Sequence, residues 1–263
     1  LVNDIIINEG NVSGCAGVKA EGWRKWTPIG NTDDGYSGTF DGNGYTISGL
    51  YIKEPYVFSI GLFGKLMGGT VKSLGLINSY IEGYECVGGI AGSIDGSSII
   101  SNCYNAGTVS SAANDRQSYG GICGYIVDKG SKVTDCYNTG KVNRKTDYNT
   151  IGGIVGWNIG EVTNCYILDN DTYTSAAGGG KGTVESTMVS MDDFTSGKVC
   201  YLMNGEGKED TWRQNLTGDS IDVYPVLNNE HSRVYLSSPC SIVYSNEPDK
   251  NVEHTYGADG KCT

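Results

Sequence analysis

The sequence predicts an all-β fold, a parallel β-solenoid (β-helix) with a small C-terminal helix and strand cap, and three observations carry that prediction. Forty of the 263 residues are glycine and only 5 are proline, a balance suited to turns and close packing rather than to collagenous or proline-rich disorder. Hydrophobic residues at 38% and charged residues at 19% are sparse for a compact helical protein, while 18 tyrosines favour strands. A four-residue glycine motif returns in phase along the chain, which is the signature of a repeat architecture.

Residues 1–22 hold the apolar run Ile5-Ile6-Ile7 and a small-residue stretch with Cys15. They are expected to cap the first coil, because an open sheet edge needs cover. Coils are expected over 23–187. The motif copies are Gly61-Leu62-Phe63-Gly64, Gly89-Ile90-Ala91-Gly92, Gly121-Ile122-Cys123-Gly124 and Gly153-Ile154-Val155-Gly156, spaced by 28, 32 and 32 residues. A second block trails each copy: Val71-Lys72-Ser73-Leu74, Ile100-Ser101-Asn102-Cys103-Tyr104, Val133-Thr134-Asp135-Cys136-Tyr137 and Val162-Thr163-Asn164-Cys165-Tyr166. Polar insertions, 111–117 and 143–147, fall at equivalent places and read as exposed loops on one flank.

A unit this small and glycine-rich cannot bury a face alone, so copies must stack, and stacking sets equal positions above one another. Leu62, Ile90, Ile122 and Ile154 then form one apolar ladder and Val71, Ile100, Val133 and Val162 a second. Leu74, Cys103, Cys136 and Cys165 form a third, in which leucine at one level marks the thiols as apolar fillers. Ser73, Asn102, Asp135 and Asn164 mark a bend whose side chains would bond neighbouring backbone. Alternation puts Tyr104, Tyr137 and Tyr166 in an outward row, a candidate ligand surface because exposed rings can hold sugars by stacking.

Over 188–235 the apolar residues Met191, Phe194, Val199, Leu202 and Met203, with Asp192 and Asp193 early and Lys198 late, predict a short helix ending near Asn204-Gly205. This segment is expected to cap the array. The polar stretch 236–263 reads as a strand pair, a linker or the start of a further module. Cys240 and Cys262 fit either a disulfide or two free thiols, and with His254 they do not make up a four-ligand zinc site.

These motifs resemble the GLUG repeat, known from bacterial secreted and surface proteins. The likeness runs from about Trp23 to Val234. Trp26-Thr27-Pro28-Ile29-Gly30 and the segment from Phe40 to Leu50 are similar to the family's lead-in, with Asn43-Gly44 supplying a positive-φ turn. Met191 to Asn204 and Tyr224-Pro225-Val226-Leu227 are similar to its closing segment. The resemblance implies a module found beside many unrelated domains, including the non-catalytic part of immunoglobulin-cleaving metallopeptidases, and it carries no catalytic residues of its own.

A net charge of −11 repels phosphate backbones and anionic headgroups, so nucleic acid is a poor partner, and the apolar runs are far too short for membrane insertion. Nine cysteines, an odd number without a CxxC pair, leave at least one unpaired. Both histidines lie in the C-terminal part and HExxH is missing. Gly178-Gly179-Gly180-Lys181-Gly182-Thr183 lacks the Ser or Thr a phosphate loop needs after its lysine, and Asp169-Asn170-Asp171 lacks the EF-hand continuation. The expectation is a non-enzymatic module without cofactors or metal. It would form part of a larger multidomain chain at the bacterial cell surface or outside the cell, acting in adhesion toward a host glycan or surface protein, or as a spacer. The alternative is a carbohydrate-binding or polysaccharide-cleaving β-helix.

Overall fold

The computed structural model describes residues 1–14, 22–112, 117–147, 150–205, 211–238 and 242–248. Cys15, Cys240, His254 and Cys262 lie outside the described residues. The chain divides into two compact units, Leu1–Val189 and Ser190–Thr263.

The first unit is a parallel β-solenoid. One of its faces is a five-stranded sheet stacked in the order Phe63–Met67, Ala91–Asp95, Cys123–Ile126, Val155–Asn158 and Ala177–Gly180. The register is constant from rung to rung: Phe63, Ala91, Cys123, Val155 and Ala177 are successive partners. The glycine-rich segment beginning at Ala177 is therefore one more rung and not a phosphate loop. A second column runs Phe40, Val71, Ile100, Val133, Val162 and Val184. A third runs Ile5, Ile47, Leu76, Asn105, Asn138, Ile167 and Met188. Further round the coil, Ile52 pairs with Ile81, Val109 and Val142 in turn, and Ile60 with Val87, Tyr119 and Ile151. These columns build one core from Ile47 to Ala176. The N-terminal segment joins it as a parallel strand, Ile5–Ile6 on Thr46–Ser48.

Corners are made by residues in the left-handed region. Within the long strand Thr70–Gly88, Ser73 (φ 52°), Asn78 (45°) and Cys86 (54°) bend the chain while rung-to-rung pairing continues. Asn102, Asp135 and Asn164 repeat the Ser73 corner at φ 50°, 52° and 48°. Asn43 and Gly44 are also positive, at 53° and 83°. The turn they form is a corner and not a hairpin, since the strands on either side, Thr39–Asp41 and Thr46–Ser48, both pair in parallel with Thr70–Gly88.

The paired glycines of the motif are required by close backbone approach. A Cβ on Gly124 would sit 2.4 Å from the Cys86 carbonyl carbon and 2.5 Å from the Gly92 oxygen, and one on Gly92 would sit 2.3 Å from Ile60 N. Outside, Lys65–Asp95, Lys72–Asp41 and Lys132–Glu161 bridge adjacent rungs at 3.4, 3.2 and 2.7 Å. Such surface pairs add little stability, but Lys72–Asp41 and Lys132–Glu161 set opposite charges at one register position, which disfavours a slipped stack.

In the second unit the expected single helix is two, α1 (Met191–Thr195) and α2 (Lys198–Asn204). Gly197, at φ 86°, breaks them, and Lys198 Nζ reaches back 2.7 Å to Asp193 Oδ1 across the break. Ser190 caps α1 with a reciprocal Asp193 bond, the capping box. Phe194, Val199, Cys200, Met203 and Trp212 are buried. Tyr235–Ser238 and Val243–Ser245 form an antiparallel pair. No helix among the described residues is long and apolar enough to cross a membrane.

Candidate functional site

Leu62, Ile90, Ile122 and Ile154 are all fully buried, and Leu62 N donates to Gly89 O at 3.1 Å. Ile90 N donates to Ile122 O, Ile122 N to Ile154 O and Ile154 N to Ala176 O, each at 2.9 Å. Leu74 pairs in register with Cys103, and Cys103, Cys136 and Cys165 are fully buried with it. Each thiol donates to the carbonyl two residues back, across the left-handed corner: Cys103 to Ser101 O, Cys136 to Thr134 O and Cys165 to Thr163 O, at 3.3, 3.1 and 3.2 Å. Burial pushes the Cys136 thiol well above the ordinary range and raises Cys123 as well, so both stay protonated and serve as packing groups. At the corner itself Asn164 Nδ2 donates to Asp135 Oδ1 at 2.6 Å, so these two side chains link rung to rung.

The tyrosine row does not form an open aromatic surface. Tyr104, Tyr137 and Tyr166 are only 8%, 1% and 7% exposed. In-register stacking is the reason: Tyr104 and Tyr137 lie ring on ring at 4.9 Å and 8°, and Tyr166 is the register partner of Tyr137. At the other end of the row the Tyr104 ring lies over Gly75, where a Cβ would meet its Cζ at 2.4 Å. The Tyr104 and Tyr137 rings are spent on each other, and burial raises the Tyr166 phenol above its ordinary value.

A buried polar ladder escaped the sequence reading. Asn105 Nδ2 donates to Asn138 Oδ1 at 2.9 Å, and Asn138 Nδ2 to the Tyr173 hydroxyl at 3.3 Å. Each Asn also accepts from the glycine two residues on, Gly107 N at 2.9 Å and Gly140 N at 3.2 Å. The signal was present as Cys-Tyr-Asn-x-Gly at 103–107 and 136–140, an Asn placed two residues before a turn glycine.

The concave site with exposed aromatic chemistry lies elsewhere in the first unit. A cleft of about 440 Å³ opens between the segments 26–32 and 54–60. Pairing of the strand Tyr51–Ile60 with its neighbour is irregular between Glu54 and Phe58, which face Gly83 and Glu85. Pro55, which has no N–H for a ladder, sits in that irregular stretch, and the extra residues stand off the sheet. Tyr56, Val57 and Phe58 are consequently 86%, 44% and 51% exposed. The opposite wall is fixed by Trp26, whose N bonds Tyr51 O at 2.9 Å and whose indole Nε1 bonds Leu62 O at 3.1 Å. Phe58 is held edge-on against Tyr84, centroids 5.4 Å apart. Glu54 lines the cleft and pairs with Lys25 at 3.6 Å. Among the described residues no cluster of three or more His, Cys, Asp or Glu side chains is placed to hold a metal ion.

Residues 83–110 match the family model described as the GLUG motif, so the chain carries that motif. Halomucin of Haloquadratum walsbyi is 36% identical over 136 residues, a stretch amounting to 51% of this chain and 1% of that protein. The chain thus spans a very small part of the relative it matches. A crystal structure described as a "putative immunoglobulin A1 protease" from Bacteroides ovatus aligns over 87% of this chain and 84% of its own, with TM-score 0.46 and 18% identity.

Proposed function

We propose that this chain is a non-enzymatic solenoid module, displayed outside the cell, that acts as a stiff spacer and adhesive surface. One observation carries the reading: rung after rung pairs in one parallel register, from Phe63–Met67 to Ala177–Gly180, over a core of phased aliphatic and thiol groups. Such a stack gains length by repeating one strand-pairing step of about 4.8 Å, and resists bending because every step is hydrogen-bonded. The GLUG motif and the likeness to halomucin support a surface or secreted setting. Force spectroscopy on the full chain between inert handles tests the spacer role. The expected trace is a cooperative rupture of the first unit releasing roughly 60 nm of chain. Gradual extension at low force would overturn the spacer reading. New reducing ends or unsaturated products from a polysaccharide panel would overturn the non-enzymatic one.

A further inference from the structure

We infer that the cleft between 26–32 and 54–60 binds a neutral pyranose unit of a glycan. The assignment rests on the adhesive part of the proposed function and gives it a location and a ligand class.

Tyr56 and Phe58 present aromatic rings to solvent beside the anchored Trp26, and Pro28 completes an apolar floor. Aromatic rings exposed to water carry a hydration cost that a stacked sugar face removes, because its axial C–H groups pack on the π-face and its hydroxyls stay wet. Polar groups sit beside the rings: the Glu54 carboxylate and the Thr32 hydroxyl line the same cleft and supply an acceptor and a donor for ring hydroxyls. The volume, about 440 Å³, lies within the range of small-ligand sites, roughly 300–1,000 Å³.

Charge selects the class. Lys25, which precedes the Trp26 wall in sequence, is paired with Glu54, and the chain as a whole carries −11. A sialylated or uronate glycan would meet a carboxylate and an unfavourable field, whereas a neutral hexose or N-acetylhexosamine meets neither penalty. The aromatic stretch is also built on rigid supports. Phe58 packs against Tyr84, and Ser59, the next residue, bonds Ser93 Oγ at 3.0 Å, so the platform is preorganised on the ladder.

The test is retention of the full chain on an array of neutral gluco-, manno-, galacto- and N-acetylhexosaminyl oligosaccharides beside sialylated and uronate ones, followed by titration calorimetry with the best binder. Retention on neutral glycans only is expected, with Tyr56→Ala and Phe58→Ala each weakening binding by about fivefold to tenfold. Tyr56→Ala should leave the melting temperature unchanged, since its side chain is almost wholly in water. Absence of neutral binding, preference for acidic glycans, binding to proteins alone, or unchanged affinity in both variants would each overturn the assignment. The force trace depends on rung pairing and not on Tyr56. A silent array with an intact rupture therefore sinks the cleft without touching the spacer role.

Discussion

The Cys103 amide donates to the Cys136 sulfur at 3.4 Å, from one rung to the next, inside a column that no water reaches. Sulfur suits this place on two counts: it is small and apolar enough to stack, and its S–H can bond the carbonyl across the corner, as Cys136 does to Thr134 O at 3.1 Å. Leu74 fills the same column one level from Cys103 without that bond, where packing alone suffices.

Cys136→Asp should therefore cripple the first unit. A carboxylate at this fully buried position has no cationic partner and must either ionise in a dry column or hold its proton at a cost. The expected loss is about 3–5 kcal/mol, seen as a fall of about 10 °C or more in Tm by calorimetry, whereas Cys136→Ala should lose far less. A variant that melts with the parent would show that the column is not dry.

The asparagine ladder gives a second expectation. In Asn138→Ala, Asn105 Nδ2 keeps only its long 3.4 Å bond to Gly107 O and Gly140 N keeps only the Asn105 carbonyl at 3.2 Å, while the Tyr173 hydroxyl loses the amide that donates to it, so three buried polar groups each lose a partner. The cost should be about 2–4 kcal/mol in urea unfolding. Asn105→Ala combined with Asn138→Ala should cost less than the sum of the singles, because the bond between the two amides is lost only once and removing Asn105 also removes a donor left short of a partner. Strict additivity would mean the two amides do not bond in solution.

The solenoid was legible because it is written as phase: equal residues at spacings of 28 and 32 can be satisfied together only if Ile90, Ile122 and Ile154 share a wall. The fate of the side chains facing away from the core was not. Alternation gives Tyr104 and Tyr137 their direction, but not whether a ring lies open or against its copy one rung away, and in-register stacking decided that. The cleft was illegible for the opposite reason. Trp26, Tyr56 and Phe58 belong to no repeated position, and they meet because an irregular stretch containing Pro55 pushes one coil edge outward against the lead-in segment. Periodicity reports what recurs, and this site does not. The break between α1 and α2 was missed because the apolar spacing from Met191 to Met203 continues through Gly197, whose positive φ ends the first helix after little more than one turn.

Alkaline pH should unfold the protein through its buried acids. Desolvation, reinforced by the neighbouring Glu85 charge, pushes the Cys86 thiol from 9.0 up to about 12. Burial also raises Cys123, Cys136, Tyr166 and Tyr173. A group whose folded value is raised holds more protons folded than unfolded once the pH passes its unfolded value. Its stabilising contribution is complete below that value and is lost as pH rises through the folded one. For Cys86 the window runs from about pH 9 to about pH 12. Urea midpoints measured from pH 7 to pH 11 should stay flat to about pH 9 and then fall, since the unfolded chain releases protons that the folded chain keeps. Cys86→Ala removes one contributor, so its midpoint should decline less steeply above pH 9, while the other raised groups keep the decline from vanishing. Glu85→Gln should have a smaller effect in the same direction, because it removes the lesser of the two causes and leaves burial in place. Parallel midpoint curves for parent and Cys86→Ala would mean that the thiol at this left-handed corner ionises as it does in the unfolded chain, and that solvent reaches it.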